Sequence, residues 1–70
     1  MQQFVTACQF LFEHNLGSDY TLNMLKNIIA KHLDEFSDVE LLLLKKGLVQ
    51  NKLVKNEHMI AVIDEKLMDI

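Results

Sequence analysis

Arginine, proline and tryptophan are all absent from this chain, which has one cysteine and two glycines. Each shortage excludes something. Arginine is the residue that grips guanine or phosphate through two parallel hydrogen bonds, so its absence argues against direct nucleic-acid binding. The lone Cys8 forbids an internal disulfide and suits a reducing compartment. Two glycines thirty residues apart form no phosphate-cradling loop. No apolar run approaches the ~18 residues that would cross a bilayer, and the opening MQQFVTACQF lacks the basic start and apolar stretch of a secretory signal. A cytoplasmic protein without membrane contact is therefore expected. With no low-complexity stretch, linker or repeat, residues 1–70 read as a single domain.

What the chain does have is apolar surface: half of its seventy residues are hydrophobic. A core of this size supplies only ~3–5 kcal/mol, so support from a partner or a second copy is expected. The net charge of −3 is unevenly spread. Residues 1–40 hold six acids against Lys26 and Lys31, whereas residues 41–70 hold five lysines against four acids.

Apolar spacing points to an all-α bundle of three or four helices. In residues 2–16, Phe4, Cys8, Leu11, Phe12 and Asn15 recur at three and four, with Gly17 placed to end the helix and Ser18 and Asp19 to cap the next. Residues 20–34 repeat the stripe with Leu22, Leu25, Ile28, Ile29 and Leu33. The stretch FSDVEL then has every feature of a helix start. Ser37 is the N-cap, Glu40 reaches back from the third helical position, and Phe36 and Leu41 occupy the staple positions. Leu41 to Leu44 follow and wrap nearly all round this third helix, which predicts burial on more than one side.

The end of that helix is open to three readings. It can run on to the C-terminus, in which case Leu53, Asn56, Ile60, Ile63, Leu67 and Ile70 form a three-four seam with one polar member. It can break near Asn56, which then caps a fourth helix. Alternatively Gly47 ends it, and LVQNKLV pairs with MIAVID as the hairpin of a winged helix.

Chemistry finds little foothold. Cys8 and His14 are six residues apart and point to different sides of a helix, and no two of His14, His32 and His58 share the spacing that brings metal ligands together. Sequential acid pairs such as Asp34 with Glu35 diverge on a helix. Lys45, Lys46, Lys52 and Lys55 read as a solvated face. No catalytic residue, metal, cofactor or small-molecule substrate is expected. Partner binding is expected instead on the third helix and tail, at Leu44, Leu48, Leu53, Ile60, Ile63 and Leu67.

The segment TLNMLKNIIAKHLDEFSDVEL, residues 21–41, resembles the second helix and third-helix start of the Hha/YmoA family of small bacterial regulators. The matched positions are Thr21, Leu25, Ile29, Lys31, Glu35, Ser37, Asp38, Glu40 and Leu41. The resemblance implies an all-helical regulator of transcription that acts through a protein partner, in that family the nucleoid-structuring protein H-NS. Where the family carries the acids that grip this partner, the present chain has Asn23, Lys26 and Val49. A helical chaperone that covers a client's apolar helix, and a winged-helix DNA-binding protein, are the other expectations.

Overall fold

The computed structural model describes residues 2–68 and shows four helices: α1 (Gln2–Glu13), α2 (Asp19–Lys31), α3 (Asp38–Gln50) and α4 (Glu57–Met68), with a 3-10 turn at Leu33–Glu35. Ile70, the last member of the seam, lies outside the described residues.

α1 ends earlier than Gly17. Asn15 takes a left-handed backbone (φ 56°), the Leu16 amide donates to the Leu11 carbonyl at 2.9 Å, and the Asn15 amide donates to Phe12 at 3.3 Å. This is a Schellman cap with asparagine where glycine is more usual. Gly17 is also left-handed (φ 88°) and serves the turn into α2 rather than the helix end. Ser18 caps α2 by accepting from the Thr21 amide at 3.2 Å.

At the start of α3 both reciprocal bonds of a capping box are present. The Glu40 amide donates to Ser37 Oγ at 3.2 Å, and the Ser37 amide donates to Glu40 Oε1 at 2.8 Å. Phe36 and Leu41 are both buried in the core beside it. Replacing Ser37 with alanine is expected to cost about 1 kcal/mol, read as a lower denaturant midpoint at unchanged slope. An unchanged midpoint would mean that the cap contributes nothing.

α3 is the central element: α1 and α4 pack on it, and α2 packs on α1. The core joins Val5, Cys8 and Phe12 of α1 with Leu22 and Ile29 of α2, Leu41, Leu44 and Leu48 of α3, and Met59 and Ile63 of α4. Gly47 lies buried where α3 crosses α1. A Cβ built there would sit 3.1 Å from the Gln9 carbonyl oxygen and 3.3 Å from Phe12 Cβ. Gly47 therefore does not end the helix; it lets two backbones approach.

The third helix does not run to the C-terminus. It stops at Asn51, which is extended (φ −72°, ψ 136°), and a connection over 51–56 turns the chain back as α4. The first backbone bond of α4, from the Ile60 amide to the Asn56 carbonyl at 2.9 Å, puts Asn56 at its cap position. Three asparagines hold the break. Asn51 Nδ2 donates to the Phe12 carbonyl (3.1 Å) and to Asn15 Oδ1 (3.3 Å), while Asn51 Oδ1 accepts from the Val54 amide (3.1 Å) and from Asn56 Nδ2 (3.3 Å). Asn15 Oδ1 also accepts from the Lys52 amide at 2.7 Å. Side chains at the ends of two helices thus satisfy backbone groups that a continuing helix would have paired within itself.

The hairpin alternative falls with this topology. Val49 belongs to α3, Met59 to Asp64 belong to α4, and no strand occurs among the described residues. Much of the apolar tail is covered from within, since Met59 and Ile63 enter the core and Ile60 and Leu67 pack at its edge, while Met68 stays 80% exposed. The radius of gyration, 10.9 Å, is what about 70 residues give when folded to ordinary density (about 11 Å).

Candidate interaction surface

Of the six positions expected to meet a partner, three are consumed by the fold. Leu44, Leu48 and Ile63 are at most 1% exposed. They cannot present a surface without unfolding, because α1 packs on one side of α3 and α4 on another. Ile60 and Leu67 are half-buried against the core, and Leu53 is exposed in the α3–α4 connection. The expected cluster is therefore not brought together on the outside.

A different row is. Around α3, the apolar run splits: Leu41 and Leu44 point into the core, Leu43 is half-buried, and Leu42 faces solvent. Leu42 continues a line of exposed residues, Val39, Leu42, Lys46 and Val49, spaced three, four and three, in which Val39 is 65% and Val49 59% exposed. On a helix this spacing makes one continuous stripe. Asp38 and Gln50, also exposed, bound it at the two ends of α3. The underlying signal was in the sequence: the period of the leucines allows both a 41/44/48 face and a 39/42/46/49 face. Which one is inner depends on where α1 and α4 pack.

Elsewhere exposed apolar side chains stand singly or in pairs on the other helices, Met68 of α4 among them. Phe10 stands on the outer side of α1, its ring 4.6 Å from that of His14, and Tyr20 and Met24 stand on α2. A shallow depression beside the Asp34–Lys66 ion pair is lined by Leu33, Val62, Glu65, Lys66 and Met68.

The chemically able groups are separated. Cys8 is 1% exposed, and burial pushes its thiol up to about 11, so at neutral pH it stays protonated and serves as a small core side chain. His14 is exposed and packs against Phe10 in a tilted ring contact instead. Among the described residues, no three His, Cys, Asp or Glu side chains gather to hold a metal ion, and no helix is long and apolar enough to cross a membrane.

The lysines do not act as one patch either. Lys45 pairs with Asp64 of α4 at 2.6 Å, and Lys26 Nζ donates to the Lys55 carbonyl at 2.6 Å, which ties α2 to the α3–α4 connection. Lys46, Lys52 and Lys55 remain solvated.

Compared with known proteins, the chain matches no family model, no curated protein and no solved structure.

Proposed function

We propose that this chain is a non-enzymatic protein-interaction module, a cytoplasmic regulator of transcription that acts through protein association on the outer face of α3. The supporting observation is the stripe of Val39, Leu42 and Val49 on the central helix, whose opposite face is used by the core. Solvated apolar residues in a continuous helical row mark contact surfaces more often than isolated ones do. The resemblance of residues 21–41 to the Hha/YmoA regulators points to the same class. The chain has no arginine, and Lys45 and Lys26 are already engaged within the fold, so the reading assigns DNA contact to a different protein of the regulatory complex and not to this chain.

The test uses Leu42→Glu and Val49→Glu, both on solvated positions that leave the core untouched. Transcript levels and affinity-captured proteins are compared in cells expressing the wild-type chain or either variant. Both variants are expected to stay helical by circular dichroism, to lose the captured protein and to lose the transcriptional effect. Retention of both by either variant would refute α3 as the working surface.

A further inference from the structure

Resting on the reading that the outer face of α3 is the working surface, we propose that its occupant is a second copy of this chain, packed antiparallel across a twofold axis. The row Val39, Leu42, Lys46 and Val49 has the spacing of a two-helix seam, with a single charged member inside it. A lone polar residue in such a seam selects register and direction, because only some pairings give it a partner.

The charges on this face complement each other end to end. Asp38 begins α3 and Lys46 lies two turns further on, both are exposed, and neither makes an ion pair among the described residues. In an antiparallel pair with the axis beside residue 44, Val39 meets Val49 of the second copy and Leu42 meets Lys46 of the second copy. Asp38 of each copy then lies four residues, about 6 Å, beyond the point where the other's Lys46 crosses. The four-carbon stem of Lys46 lies along Leu42 of the second copy while its ammonium reaches that Asp38. Twofold symmetry makes the contact twice. A parallel pair in register would instead set Lys46 against Lys46, with Asp38 against Asp38. Charge complementarity therefore suits a second copy and selects its direction.

Sedimentation equilibrium from about 1 µM to about 1 mM, a range that brackets dissociation constants of that order, tests the pairing. The wild-type chain is expected to dimerise and Leu42→Glu to remain monomeric. Asp38→Lys and Lys46→Glu, made singly, are each expected to weaken the dimer about tenfold by placing like charges together. The double variant Asp38→Lys/Lys46→Glu is expected to recover the wild-type constant. Because Asp38 also sits at the positive end of α3, helicity is followed in parallel, and Lys46→Glu alone carries the test should Asp38→Lys unfold.

A wild-type chain monomeric throughout, or a double variant no tighter than the single ones, overturns the self-pairing. If that monomer loses a heterologous protein on Leu42→Glu substitution, another protein occupies the face and its working role stands. A dimer that Leu42→Glu leaves intact, with captured proteins also unchanged, removes both readings.

Discussion

Replacing Gly47 with valine is expected to destabilise the fold by about 3 kcal/mol or more, near the whole stability of a core this small. The added Cβ would stand 3.1 Å from the Gln9 carbonyl oxygen and 3.2 Å from Gln9 Cα. Both are backbone atoms of α1, and neither can rotate aside as a side chain would. The third neighbour, Phe12 Cβ at 3.3 Å, belongs to a ring side chain with no exposure. α1 would have to move as a body and open the contact through which Val5, Cys8 and Phe12 reach α3. Gly47→Ala is the informative companion. Helix propensity alone would favour alanine by about 1 kcal/mol, so a net loss of stability measures the close approach directly. If denaturant melts show Gly47→Ala stabilised by the full propensity, the two helices do not touch there.

The second large effect is expected at Asn51, which is only 8% exposed and whose amide group has partners on both atoms. Asn51→Leu leaves the Val54 amide without its acceptor and takes one partner from each of Phe12, Asn15 and Asn56. A buried unsatisfied group costs about 1–3 kcal/mol, and loosening of the connection adds to this, so about 2–4 kcal/mol is expected. Asn51→Asp keeps an acceptor for Val54 but turns carboxylate oxygens toward the Phe12 carbonyl and Asn15 Oδ1, so it should be no milder. Amide hydrogen exchange at Lys52 and Val54 is expected to quicken in both variants. Protection equal to wild type at those two amides would show that the network does not hold the α3–α4 break.

The contrast between Ser37 and Asn51 shows which parts of this fold are legible from sequence. The α3 start is written within six residues: Ser37, Glu40, Phe36 and Leu41 satisfy one another, and their spacing alone reveals it. The α3 end is decided by Asn15, thirty-six residues away, and by a left-handed turn that only the folded chain exhibits. No local pattern carries that information. Gly47 was ambiguous for the same reason, since a glycine that admits a second backbone looks in sequence like one that ends a helix. The working face inverts on similar grounds. The spacing offers Leu44 and Leu48 as partner-binding positions and does not offer Val39 or Val49 as such, yet α1 and α4 cover the first pair and leave the second to solvent.

The dominance of the α1–α3 contact has a consequence during synthesis. α1 is complete at Glu13, but its principal packing partner is not finished until Gln50. At about 5–20 residues per second, translation leaves some seconds in which Val5 and Phe12 have no core to enter. α2 follows within that interval and offers only a minor contact. The nascent chain therefore passes through a stage in which its most aromatic helix is made and uncovered, and the last step that shelters it is emergence of the Gly47 crossing from the ribosome.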